Sequence, residues 1–347
     1  LLQNRDVELV IFDVFRDGHR RDYFRVLRRV LGGFVVSGPL LQRLPVLLRA
    51  RKLVCSTCDD YLSGFFLLSI CRALLGRATL GLSIRTETIF QRSGYAQQVK
   101  RSMFKFLKFV PNVNVITFMP HWAEPRLAAY TGDWMYDPQY WDLPWLSAPR
   151  PGALATVFDE VRKVAGRRPV VASLGHQRRV KGVEYFMELY QHAEMRERFC
   201  FACIGPIWDV DRTLVARFRQ AGGVFIDRQL RDDEILPIYA LADVVWTCYR
   251  PDYDQSSGIF GRAIQLGKPT IVRNQSYLAV LQAGLGTPGY AVPYADLPAA
   301  VAALKSMTVP SMAQEHVGAD RSTALLFRHV GLSTKARPMR RKRRASP

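Results

Sequence analysis

The stretch from Asp254 to Val272, DQSSGIFGRAIQLGKPTIV, sets two serines and a glycine ahead of an apolar segment that ends in Gly-Lys-Pro and runs into a strand pattern. Serine is a favourable helix N-cap, so Ser256, Ser257 and Gly258 are expected to hold backbone N–H groups at the positive end of a helix over 259–266. Gly267 supplies its stop, and Pro269 bars it from continuing. A helix end with small residues in front suits an anion such as a phosphate. Cations that would share that anion lie in SLGHQRRVKG, where Gly175 ends a strand and Arg178, Arg179 and Lys181 precede a helix. Arginine can grip a diphosphate through two hydrogen bonds at once, and lysine adds a compact point charge.

Two further loops bring polar groups to strand ends. In RPDYDQSSG, Asp252 and Asp254 can accept hydrogen bonds from sugar hydroxyls. Two aspartates can also bind Mg²⁺, but a site with Arg, Lys and a helix dipole does not need the metal. In RDGHRRDY, Gly18 lets a ligand approach the backbone and His19 stands at the strand end; His121 closes VITFMPH on the neighbouring side. Either histidine is a candidate to orient or deprotonate a hydroxyl.

The elements that must position these loops alternate along the chain. Apolar runs at 7–15, 34–39, 52–57, 78–84 and 113–120 read as strands, with helical patterns at 20–31, 63–76 and 96–110. Residues 133–152, rich in Pro and aromatics, break the pattern and read as the interdomain connection, their aromatics packed at the seam. Strands then return at 168–175, 199–205, 223–227, 243–249 and 269–272, with YLAVLQAG closing the regular part. Strand–helix alternation means a parallel sheet covered on both faces, so the fold is α/β: two doubly wound Rossmann-like domains facing across a cleft. The domains are expected at 1–150, including the linker, and 151–332. Ligands bind beyond the carboxyl ends of the strands in such folds.

Length and composition agree with two globular domains: 347 residues, 48% hydrophobic and 23% charged. The longest apolar run, about 15 residues from Leu62, falls short of the ~20 of a membrane span. No signal-peptide pattern opens the chain, which begins with Leu, and a cytoplasmic protein is expected. The net charge of +19 divides as 21 basic against 12 acidic side chains in 1–150, 21 against 18 in 151–332, and 7 against none in 333–347. The tail STKARPMRRKRRASP reads as disordered. It and the 96–110 helix, with Val99, Met103, Phe106, Leu107 and Val110 opposite Lys100, Arg101, Lys105 and Lys108, suit an anionic membrane surface as well as plain solvent. No helix-turn-helix, zinc-finger or RNP pattern supports a nucleic-acid partner. Cys55/Cys58 and Cys200/Cys203 are Cys-x-x-Cys pairs without knuckle turns, and a strand would point the second pair to opposite faces, so buried thiols are expected rather than zinc.

The second half resembles the donor-nucleotide domain of GT-B-fold glycosyltransferases around family 4. The matching segments are SLGHQRRVKGVEYF, RFCFACIGP, DDEILPIYALADVVWTCY and SSGIFGRAIQLGKPTIV, together spanning about 165–275. The resemblance implies that Arg178 and Lys181 bind the donor diphosphate beside Gly175, that Ser256, Ser257 and Gly258 give it backbone amides, and that Gln229 and Leu230 border the base. DGHRRDY is similar to the family's acceptor-side first loop, which assigns Asp17 and Gly18 to the acceptor, and YDPQYWD to a linker segment. Two glutamates eight positions apart in many members are here Asp254, which can still serve toward the sugar, and Arg262, which is placed with the donor-binding residues but cannot accept a hydrogen bond from a ribose. The usual Arg after the strand glycine is His176. The implied activity is hexosyl transfer from a nucleoside diphosphate sugar to a saccharide or lipid-linked acceptor in surface or exopolysaccharide synthesis. It needs no cofactor or metal and is placed in the cytoplasm or at the inner face of the plasma membrane. A GT-B-fold binding or regulatory protein without catalysis is the alternative, motivated by Arg262 and His176.

Overall fold

The computed structural model describes residues 8–15, 19–91, 94–146, 155–307 and 318–331, so Asp17, Gly18 and the 333–347 tail lie outside the described residues. The first sheet holds β1 (Leu9–Asp13), β2 (Phe34–Ser37), β3 (Lys52–Cys55), β4 (Ala78–Ser83), β5 (Val113–Thr117) and β6 (Asp133–Trp134), in the order β2-β1-β3-β4-β5-β6. The second holds β7 (Val170–Leu174), β8 (Cys200–Ile204), β9 (Val224–Ile226), β10 (Val244–Thr247), β11 (Thr270–Arg273) and β12 (Gly289–Val292), in the order β12-β11-β10-β7-β8-β9. Every pairing is parallel, as in Val10↔Leu53 and Val171↔Phe201. This is the expected doubly wound α/β architecture.

Alternation along the buried strands divides the cores. In β8, Phe201 and Cys203 pack on one face while Cys200, Ala202 and Ile204 pack on the other, because successive side chains leave a strand on opposite sides. The strand order reverses between β1 and β3 and between β7 and β10, which opens a crevice at each of these carboxyl ends. One core runs through the seam: Leu9, Ile11, Leu80 and Tyr140 share a cluster with Tyr249, Phe260, Ile264 and Leu281 of the second domain. The two domains therefore meet through apolar surface as well as polar contacts.

Several parts differ from the sequence reading, among them β6, whose Asp133 and Trp134 were expected to begin the interdomain connection. The helix Leu40–Arg49 forms despite Pro45 inside it. After Tyr277–Leu285 the chain adds β12 and a helix over Leu297–Ser306 capped by Asp296. The helix Ala319–Val330, read with the second domain, packs instead on the first sheet, its Leu325, Leu326 and Val330 lying with Leu80 and Leu82. Among the described residues no helix is long and apolar enough to cross a membrane.

Candidate active site

The β7–β10 crevice brings together two of the loops named above. Gly175 adopts φ +80°, in the left-handed region that favours glycine, and turns the chain after β7. A side chain there would begin 3.2 Å from Ile259 Cδ1 and 3.9 Å from Lys181 Nζ. The ammonium of Lys181, which ends the 3₁₀ turn Arg179–Lys181, and Ile259 on the first turn of the helix Gly258–Gln265 thus both border Gly175. Burial, then the neighbouring Arg178 charge, pulls its pKa down to about 8. Arg178 itself is exposed and 3.9 Å from Asp209. His176, the residue after Gly175, hydrogen-bonds Gln229 Oε1 at 3.0 Å and stacks on Trp208. The Leu230 side chain turns into the core of the second domain.

Ser257 is the N-cap: its Oγ accepts the Phe260 amide at 3.3 Å and pairs with the Tyr249 hydroxyl at 2.8 Å. Its side chain is committed to the fold, and helix geometry leaves the Gly258 and Ile259 amides as the donors at this end. The Ser256 amide faces the first domain and donates to Glu87 Oε1 at 3.4 Å. The linker covers the other side of the same helix. A Cβ on Gly258 would lie 1.5 Å from Gln139 Oε1, and one on Gly261 2.0 Å from Tyr140 Cδ1. Gly261→Ala is therefore expected to destabilise the chain by about 1–3 kcal/mol, as overpacking does. Urea unfolding checks this, and an unchanged midpoint would show that Tyr140 yields freely.

Two sequence assignments need correction. Arg262 does not face the donor loop: it is buried, and one guanidinium nitrogen reaches Asp22 Oδ2 at 2.7 Å and Asp142 Oδ2 at 2.8 Å. Burial alone would lower its pKa, but Asp142 and Asp22 hold it above the ordinary value. Asp254 is occupied as well. Its Oδ1 accepts the Tyr277 amide at 2.9 Å and its Oδ2 lies 3.3 Å from Arg273, beside a gap too small for water.

On the first domain His121 bonds Thr131 Oγ1 at 2.9 Å within its own loop, and burial, first among the causes, lowers its pKa. One ring nitrogen, Nε2, is thus engaged by Thr131. His19 opens the helix His19–Leu31, but its side chain is outside the described ones. The polar groups that do gather at the strand ends were not singled out in the sequence. Asp13, at the end of β1, is buried and accepts the Ser56 hydroxyl at 2.6 Å together with that of Thr57. Glu87, just beyond β4, is fully buried with a pKa raised to about 8, chiefly by burial. Its only sequence signal is an acidic residue soon after a strand end, which many solvated turns share. Among the described residues no three His, Cys, Asp or Glu side chains gather as a metal site.

No protein-family model matches this chain, and no curated protein matches it in sequence. Solved structures do match in fold. Anabaena Alr3699/HepE, crystallised in complex with UDP and glucose, superposes with a TM-score of 0.61 at 11% identity, over 93% of this chain and 95% of that one. A Listeria monocytogenes structure assigned as a UDP-N-acetylglucosamine 2-epimerase gives 0.58 at 11%, over 94% and 97%. WaaG, a glycosyltransferase involved in lipopolysaccharide biosynthesis, gives 0.53 at 12%, over 93% and 94%. With two parallel six-stranded Rossmann-like sheets and chain-long superposition on these proteins, the chain has the GT-B fold.

Proposed function

We propose that the chain is a glycosyltransferase that moves a hexose from a nucleoside diphosphate sugar, UDP-linked as the first candidate, to a saccharide or lipid-linked acceptor in the synthesis of a surface polysaccharide. The observation that carries this is that the Lys181 ammonium and Ile259, on the first turn of Gly258–Gln265, border the same glycine, Gly175, at the β7–β10 crevice. As the acceptor oxygen bonds to the anomeric carbon and the bond to the diphosphate breaks, negative charge grows on the diphosphate. Lys181, Arg178 and the Gly258 and Ile259 amides would stabilise it there, with no metal assigned to the task. The HepE complex with UDP and glucose supports UDP as the first nucleotide to try.

The test is product analysis with UDP-, GDP- and ADP-sugars against a panel of saccharide and polyprenyl-phosphate-linked acceptors. Transfer of the sugar with release of the nucleoside diphosphate is expected. Conversion of the donor to its epimer, an activity assigned to a protein of the same fold, would overturn the reading. Binding without any product would favour a GT-B-fold protein that has lost catalysis.

The lipid-linked acceptor and the inner membrane face are supported by one patch. Phe106 and Phe109 are 54% and 77% exposed with exposed Lys105 and Lys108 next to them in the chain, and Phe106 packs on Phe66 of the neighbouring helix, which also exposes Leu67. Apolar and cationic groups on one face suit an anionic bilayer. In flotation with phosphatidylglycerol vesicles, the Phe106→Ser/Phe109→Ser variant is expected to bind at least about tenfold more weakly, since burying each ring contributes roughly 1.5–3 kcal/mol. Equal flotation of both proteins would rule this face out.

A further inference from the structure

Glu87 stands where the proposed diphosphate site meets the first domain. It lies in the turn between β4 and the short helix Thr88–Gln91, and it is entirely buried. One oxygen, Oε1, accepts the Ser256 amide across the seam, while the other, Oε2, has no partner. Ser256 Oγ and the Tyr140 hydroxyl, both buried, are paired with one another. A buried polar atom left unpaired is costly and rare in native proteins, so Oε2 at this seam points to a polar guest.

The surroundings say which form the carboxyl takes. Burial pushes its pKa up to about 8; its own backbone amide and that of Ser256 oppose the rise, while the carboxylates of Asp59 and Asp254 add to it. The cations of the neighbouring elements are engaged elsewhere: Arg85 lies 3.4 Å from Asp60, and Arg273 is held by Asp254. Tyr253 and Tyr277, which also face Glu87, have their own pKa values raised by burial and stay neutral. At neutral pH the group is therefore a carboxylic acid. One oxygen already accepts, and the other carries a hydrogen with nothing beside it to take it.

We propose that Glu87 is a ligand-binding residue for the diphosphate: a phosphate oxygen inserts between it and Ser256, accepting the Oε2–H of the one and the N–H of the other. This rests on the donor reading above. In the empty site the carboxyl holds the amide that the phosphate will take. Once ionised it would repel the same phosphate. Donor affinity then falls as pH rises through about 8, because the folded, unliganded protein must regain the proton to bind. Lys181 loses its charge over the same range, so Glu87's share is the difference between proteins that all keep Lys181.

The experiment is calorimetric titration of UDP into the full chain and its Glu87→Ala and Glu87→Gln variants from pH 6 to 9.5. Glu87→Ala is expected to bind about tenfold more weakly at pH 7, the worth of one such hydrogen bond. Glu87→Gln, whose amide can accept from Ser256 and donate to phosphate, should restore most of that loss. Between pH 7 and 9 the wild type should lose about tenfold more affinity than Glu87→Gln, one pKa unit being a factor of ten. Parallel pH profiles for wild type and Glu87→Gln, or wild-type affinity in Glu87→Ala, would overturn the role of Glu87 alone. Failure of the wild type to bind any nucleoside diphosphate would overturn the donor reading and this inference with it. If the variants do not fold, the wild type decides: at pH 9 the infrared carbonyl band of a protonated carboxyl should grow when UDP is added, and its failure to grow overturns the proposal.

Discussion

Replacing Lys181 by alanine is expected to lower kcat/KM for sugar transfer by about 10²–10³-fold, the loss that follows when one preorganised donor to a developing anion is removed. The ammonium borders Gly175, as does Ile259 on the first turn of the helix whose amides would hold the same diphosphate. Its depressed pKa sets the sign of the pH dependence. The amine is charged below about pH 8 and neutral above it, so the KM for donor should rise with pH through that range. Because the folded pKa lies below the unfolded amine's ~10.4, the same group makes the unliganded fold more stable as pH rises from about 8 toward 10. Lys181→Arg, which keeps its charge, should move this part of the alkaline limb upward while leaving the part due to Glu87. Steady-state kinetics from pH 6 to 10 check both, and a limb unmoved in Lys181→Arg would exclude Lys181 as its source.

Arg262→Ala should show the opposite pattern, large in stability and small in donor affinity. Its guanidinium joins Asp22 on the first domain, Asp142 in the linker and the helix that carries the donor loop. Removing one member of a buried charge cluster typically costs about 3–5 kcal/mol, since the remaining charges stay buried without compensation. Here two carboxylates are left behind. Urea unfolding should reveal a loss of that size, and UDP titration below the shifted transition should reveal much less than the Lys181→Ala effect. A stable Arg262→Ala protein that no longer binds UDP would restore Arg262 to the donor site and contradict the ion cluster as its role.

Much of the fold was readable because its central strands are fully buried. Runs such as LVIFD in β1 and CFACI in β8 are continuous apolar segments between turn residues, as parallel strands covered on both faces must be. What escaped notice was less sharply patterned. The edge strand β12, GYAV, is half exposed and four residues long, and the Leu40–Arg49 helix carries an internal proline. The return of Ala319–Val330 to the first sheet depends on packing between residues some 240 positions apart, such as Leu325 with Leu80. No local pattern encodes that.

The candidate site divides in the same way. Gly175, Lys181 and the serine-capped helix could be found from local chemistry, because a strand-ending glycine and an N-cap are short-range signals. Arg262 could not be placed, since its partners lie 240 and 120 residues away. Asp254 looked free in sequence and is held by Arg273 and Tyr277. Glu87 looked like an ordinary turn residue, RTETIF, and is a buried carboxyl in contact with Ser256 of the second domain, 169 positions away.

The most direct measurement is calorimetric titration of UDP, GDP and ADP into the wild type and Lys181→Ala at pH 7. The expected result is saturable binding of one nucleoside diphosphate by the wild type, lost in Lys181→Ala while its unfolding curve is unchanged. Equal binding by both proteins, or no binding by the wild type, would contradict a diphosphate site built from Lys181 and the helix N-terminus.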